Sequence, residues 1–211
     1  MSETSGPSRR TVVRGAAWVT PAVVAGTAAP AFAASPCTTS ACPDLSFGTV
    51  AGANAATAGN GWSYAATSSP GSWSNTNPVG FQPSVTSGND VMVGKGPHFA
   101  ATAEPTTANR VLTLSQTGQP ALVSGCAYTI SVGIVTYTST STPLVLNVMV
   151  GSTRVGQYST QPEPSAGYTD RGTKTFSVPA TASGAVTFQF VFGAAGDHED
   201  IKLYRPTITC A

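Results

Sequence analysis

Charge is what this sequence has least of. Lys and Arg together number 10 and Asp and Glu 9 in 211 residues, 9% of the chain, against roughly 25% in ordinary soluble domains. With a formal charge of +1, no broad positive field draws phosphate backbones or anionic lipid, which excludes a nucleic-acid role. The two histidines, His98 and His198, lie far apart and offer no HExxH helix. The hydroxyl-rich stretches contain no GxSxG elbow. No segment shows a helical period with start and stop signals. Disorder is excluded from the other side: 41% of residues are hydrophobic and net charge is near zero, the reverse of a disordered composition. Ser, Thr, Ala, 22 Gly and 16 Pro fill the space that charge leaves, predicting an ordered domain with a neutral hydroxyl-bearing surface.

The N-terminus reads as an export signal. Ser8-Arg9-Arg10-Thr11-Val12-Val13-Arg14 has the twin-arginine pattern of paired arginines, two apolar residues and a base. Residues 15–29 are moderately apolar, interrupted by Pro21, and too short to span a bilayer permanently. Ala31 and Ala33 then provide the small residues a signal peptidase reads, placing the cut between Ala33 and Ala34. Residues 1–33 are thus expected to be a leader and 34–211 a single secreted domain. Its expected partners in transit are the twin-arginine machinery and the peptidase. The leader also resembles those of secreted actinobacterial proteins. Loss of Arg9, Arg10, Arg14 and Glu3 turns the charge to −1. No cysteine follows the cut directly and no apolar tail ends the chain, so the mature form is expected to carry no membrane anchor and to be extracellular or loosely held at the cell surface.

Four cysteines, Cys37, Cys42, Cys126 and Cys210, all fall in the mature part. An even count in an oxidising compartment predicts two disulfides, with three pairings open. The spacings do not form paired zinc knuckles.

Period-2 patterns dominate the chain that follows. Tyr128, Ile130, Val132 and Ile134 alternate with smaller or polar residues, as do Leu144, Leu146, Val148 and Val150, each the mark of a strand with one buried face. Gly151-Ser152 suits a two-residue hairpin turn with glycine first, returning through residues 153–158. Val186, Phe188, Phe190 and Phe192 form the most apolar face. Weaker strands are expected at 111–116, 172–178 and 201–209. Between 44 and 104, short strands at 45–50, 62–65 and 91–93 are expected among long ordered loops. The fold class expected is all-β, an antiparallel sandwich of jelly-roll type, with an immunoglobulin-like sandwich as the alternative.

Four short motifs support the first choice. Leu45-Ser46-Phe47-Gly48, Gly61-Trp62, the run from Gly125 to Ser131, and Asp200-Ile201-Lys202-Leu203-Tyr204 resemble, in their order, the jelly-roll carbohydrate-binding domains of the galactose-binding-like type. That resemblance implies that the strand from Tyr128 lies antiparallel beside the terminal strand. On that ground it implies a Cys126–Cys210 bridge, leaving Cys37–Cys42 as a local loop. Related domains often hold calcium through a carboxylate after the first Phe and another on the last strand. Here the first position is Gly48, one charge short of the usual oxygen set, so no cofactor is expected.

The candidate ligand-binding residues are Trp73, within Pro70-Gly71-Ser72-Trp73-Ser74-Asn75, Tyr64, and Arg171, whose guanidinium offers a bidentate contact or pairs with Asp170. Trp62 is expected in the core. Asp197, His198 and Asp200 have ligand chemistry for a metal, but adjacent residues on a strand point to opposite faces, and a solvated turn accounts for them. The function expected is a secreted, non-catalytic binding module for a glycan or cell-envelope component. A structural surface protein without a small ligand is the second reading, and a secreted hydrolase the third, which His98 beside the Asp197 to Asp200 cluster would favour.

Overall fold

The computed structural model describes residues 37, 42–67, 73–74, 79–102, 104–105, 110–138, 143–161, 167–192 and 200–210. Ala33, Ala34, Asp197 and His198 lie outside them. Thirteen strands follow in order: β1 Thr57–Ala58, β2 Trp62–Thr67, β3 Trp73–Ser74, β4 Val79–Gln82, β5 His98–Ala101, β6 Glu104–Pro105, β7 Arg110–Gln116, β8 Tyr128–Tyr137, β9 Leu144–Val150, β10 Thr153–Ser159, β11 Thr169–Val178, β12 Val186–Phe192 and β13 Asp200–Cys210. A single 3-10 turn, Gly59–Gly61, is the only helical element among the described residues.

Two antiparallel sheets carry the fold, ordered β1-β2-β7-β12-β9-β10 and β11-β8-β13-β5-β4, with β3 and β6 as a separate pair. From β5 to β13 the chain changes sheet at every connection except the β9–β10 hairpin. Successive strands thus wind around the sandwich in the jelly-roll manner. An immunoglobulin-like sandwich of seven strands keeps three of its six connections, A–B, D–E and F–G, within one sheet, against the single hairpin over this stretch, so that alternative is set aside.

Alternation explains the core. Along β9 and β12 every second residue is buried, and these inner faces meet Ile130, Val132 and Ile134 of β8 and Ile201 and Leu203 of β13 in one cluster. Trp62 is 1% exposed, stacks on Phe188 at 5.6 Å and donates its indole N–H to the Leu45 carbonyl at 3.2 Å. The hairpin turns on Gly151 at φ 55°, where a Cβ would stand 2.4 Å from the Ser183 carbonyl oxygen.

Two expectations for the early chain fail. Residues 45–50 bury Leu45, Phe47 and Val50 without joining a sheet; the Leu45 carbonyl accepts from the Trp62 indole and the Thr49 carbonyl from the Gly59 N–H, so these groups are satisfied without a strand ladder. Gly48 there stands at φ +56°, with its Cβ position 3.1 Å from the Gly59 Cα. Residues 91–93 form a turn, apart from one isolated bridge between Val85 and Val93.

The cysteine pairing is also corrected. Tyr128 does pair with Cys210 across β8 and β13, but the bridges are Cys37–Cys126 and Cys42–Cys210. The segment carrying Cys37 and Cys42 reaches the neighbouring ends of these two strands, and each end is tied to that segment instead of to its neighbour.

Candidate functional site: the outer face of the five-stranded sheet

The outer face of β11-β8-β13-β5-β4 carries two linked sets of charged and phenolic side chains. Ile201 and Leu203 point into the main core, so by alternation Asp200, Lys202 and Tyr204 point outward. Cross-strand partners share a face. Tyr137 and Val135 of β8 therefore join them, opposite Asp200 and Lys202, as do Asp170 of β11, opposite Val135, and His98 and Ala100 of β5, opposite Tyr204 and Lys202. Residues 83–97 return across part of this face, seating Met92 on Val135 and Tyr204 in a small second core.

Two linked polar groups stand on the face. In the first, Lys95 Nζ pairs with Asp170 Oδ2 at 2.5 Å and lies 4.6 Å from the centroid of the Tyr204 ring. The Tyr204 hydroxyl donates to Asp170 Oδ1 at 3.0 Å. Burial works to raise the Asp170 pKa, but hydrogen bonds from Lys95, the Gly172 N–H and Tyr204 outweigh it and hold the carboxyl below its ordinary value. The Tyr204 ring has room because Gly133 lies beneath it: a Cβ there would sit 2.3 Å from the ring. In the second group the Tyr168 hydroxyl donates to Asp200 Oδ2 at 2.6 Å, and Lys202 Nζ covers the ring at 3.9 Å. Tyr137 lies beside it at 5.4 Å. Burial, then the Asp200 carboxylate, pushes the Tyr168 phenol well up. Tyr168 nevertheless remains 41% exposed, a large aromatic fixed in place yet open to solvent.

Next to these groups, between β4, β5, β13 and the returning segment, lies a partly open cavity of about 220 Å³, lined by Gln82, Ser84, Asp90, His98, Ala100 and Lys202 among others. His98 is 3% exposed, and its Nδ1 is buried without a hydrogen bond. Burial, then the nearby Lys202 charge, lowers its pKa to about 4, so the ring is neutral at neutral pH. Asp90 commits Oδ1 to the Met92 N–H at 2.8 Å.

The residues expected from sequence divide. Asp200 is on this face, held by Tyr168. His98 faces Tyr204, and Asp200 lies four residues farther along β13, roughly 13 Å by strand rise. Those two therefore do not meet, which removes the arrangement the hydrolase reading needed from them. Tyr64 points inward, its ring 5.3 Å from Phe99 and its hydroxyl donating to the Val79 carbonyl at 3.4 Å; it is a packing residue and not a platform. Arg171 sits on a bulge of β11 and donates Nε–H to Thr136 Oγ1 at 2.9 Å, on the opposite face of β8 from Tyr137. Asp170 pairs with Lys95 instead of Arg171. Trp73 pairs with Pro105 in the small separate sheet. Among the described residues no three His, Cys, Asp or Glu side chains come together as a metal set.

Lys95, Lys202 and Tyr204 are site residues that the sequence does not single out as such, although the last two fall in the terminal motif. The outward phase of the 201–209 pattern marks Lys202, while Lys95 reaches Tyr204 only because the 83–97 segment folds back over the sheet.

No protein-family model and no curated protein matches the sequence. Solved structures do. A cyclase from Fischerella sp. TAU, in complex with 4-(1H-indol-3-yl)butan-2-one, aligns over 71% of this chain and 85% of its own, at 10% identity and a TM-score of 0.48. The arabinose-bound MgGH51 α-L-arabinofuranosidase aligns over 81% of this chain but only 26% of its own, at 16% identity and a TM-score of 0.48. TmCBM61 in complex with β-1,4-galactotriose aligns over 71% and 88%, at 12% identity and a TM-score of 0.33. At likenesses this low, no residue role or activity passes to the present chain.

Proposed function

We propose that this protein is an exported, non-catalytic β-sandwich module that binds a glycan or cell-envelope component on the outer face of its five-stranded sheet. The observation that carries this reading is Tyr168: exposed, pinned by Asp200 and flanked by Lys202 and Tyr137. A rigid tyrosine supplies amphipathic contact area at little entropic cost, and the carboxylates and amines beside it give the few placed polar groups that fix a ligand's orientation. Two disulfides accord with an oxidising compartment. No helix among the described residues is long and apolar enough to cross a membrane. The twin-arginine leader, with cleavage between Ala33 and Ala34, is the proposed route out.

The test is retention of the mature protein on immobilised glycans and on cell-wall material, for the unaltered chain and for Tyr168→Ala, Lys202→Ala and Trp73→Ala. Retention that falls at least about tenfold, roughly 1.4 kcal/mol, in the first two variants supports the site. Retention on nothing in the panel, or retention indifferent to both, would overturn it. Loss in Trp73→Ala alone would move the site to the β3–β6 pair.

A further inference from the structure

The two bridges are laid out alike. Each has one end within residues 37–42 and the other at a strand end, Cys126 two residues before β8 and Cys210 at the close of β13. Neither joins two points of the chain after Cys42. Among the described residues, both sheets are built from residue 57 onward. The buried core runs from Leu45 onward, with Cys37 packed only at its margin. Breaking both bonds therefore costs no strand pair and withdraws only Cys37 from the edge of the core.

The chain just past Cys42 is held without either bond. Pro43 and Leu45 are buried, the Asp44 N–H donates to Gln119 Oε1 at 3.0 Å, and Asn60 Nδ2 donates to Asp44 Oδ2 at 2.9 Å. Packing and hydrogen bonds thus carry Cys42 to Cys210, where the two Cα atoms stand 5.9 Å apart, inside the span a bridge needs. Cys37 lies five residues farther back, within roughly 18 Å of Cys42 at full extension. A domain of this size buries enough surface for a core without cross-links. Cytosolic thiols stay reduced, and the twin-arginine route carries folded cargo.

We propose that the sandwich folds and leaves the cell with all four thiols free, and that both bridges close only outside. They then act as a seal that fastens the new N-terminus, three residues ahead of Cys37 once the chain is cut before Ala34. Until that point the segment that joins the leader to the domain stays unfastened. Outside, the Cys42 thiolate attacks a disulfide carried by an extracellular protein or small molecule and frees one of its thiolates. The Cys210 thiolate then displaces the other from the mixed disulfide. Two electrons pass to that reagent, and the two protons lost by the cysteines leave it as two thiols. Cys37 and Cys126 close by the same exchange. This inference rests on the twin-arginine leader of the export reading above.

The test has two arms. In the first, precursor held inside the cell by Arg9→Lys with Arg10→Lys is recovered in a maleimide that marks free thiols, and a second portion is digested under native conditions. The expected result is one adduct on each of the four cysteines and a protease-resistant core starting near Pro43. The unaltered protein recovered outside should take up no maleimide. In the second arm the purified mature protein is reduced at room temperature. It should keep its far-ultraviolet β signal and unfold cooperatively in urea, with Tm lower by about 10–25 °C for two lost bridges. The reduced form should lose residues 34–42 to proteinase K, while the bridged form keeps them. Oxidised glutathione should then close both bonds without an unfolding step.

Bridges already present in the retained precursor, or its digestion as an unfolded chain, would overturn this inference and leave the export reading standing. Loss of the β signal on reduction would do the same. Equal export of the Arg9 and Arg10 variant would remove the leader, and this inference with it. Finally, Cys37→Ser with Cys42→Ser should reach the medium in unchanged amount. Retention of that variant inside the cell would show that the bridges must close before export.

Discussion

His98 is kept neutral by its surroundings, and protonating it requires moving a charge into a buried site beside Lys202. Its pKa falls from 6.5 to about 4 on folding, so between those values the unfolded chain takes up a proton that the folded protein refuses. Stability from this residue is fully present above pH 6.5 and declines as pH falls through the window, by up to about 3 kcal/mol. Urea unfolding followed from pH 7 to pH 4 should show that decline, and His98→Asn should flatten it. An equally steep decline in the variant would assign it elsewhere. Asp170, held below the ordinary carboxylate value, against the opposing effect of burial, by Lys95, the Gly172 N–H and Tyr204, acts in a lower window, losing its contribution only as pH drops through its folded value. Gly133 is the other residue with a sharp requirement. Gly133→Ala drives a methyl into the Tyr204 ring, and overpacking of this kind typically costs about 1–3 kcal/mol. Tyr204 would be displaced from Asp170, measurable as a loss of thermal stability together with a changed Tyr204 environment in the near-ultraviolet spectrum. A fully stable variant would show that the ring has another place to go.

Among elements, the strands visible beforehand are those with one wet and one dry face. β9 matches the expected 144–150 at both ends, because alternate burial imprints a period of 2 on the sequence. β5 escaped notice: His98, Phe99, Ala100 and Ala101 are all buried, one side by the main core and the other by the returning segment, so no alternation is left to read. The disulfides belong to this scale as well. Each bridge ties the N-terminal segment to a strand end, across 89 residues for Cys37–Cys126 and 168 for Cys42–Cys210. In the loop-entropy model each is worth about 4–5 kcal/mol taken alone. Proteolytic mapping without reduction should yield peptides joining Cys37 to Cys126 and Cys42 to Cys210. A Cys37–Cys42 peptide would contradict the fold at that end. Replacing Cys42 and Cys210 by Ser together should lower stability by about 2–4 kcal/mol without loss of the far-ultraviolet β signal.

For the whole molecule, the prediction concerns compartment. Replacing both Arg9 and Arg10 by Lys should leave an uncleaved chain inside the cell, whereas the unaltered protein should be recovered outside with Ala34 as its first residue, as N-terminal sequencing would show. Equal export of the variant would remove the twin-arginine reading. Composition and periodicity alone settled the class of the fold: scant charge and alternating apolar residues leave two stacked sheets as the way to bury them. The even cysteine count likewise settled that there are two bridges. Their pairing, the meeting of Lys95, Asp170 and Tyr204, and the cavity around His98 were decided only when distant strands took their register and the 83–97 segment folded back over them. A period of 2 says which side chains share a face, but the neighbour across a sheet is set by how the chain winds, and no local pattern records that.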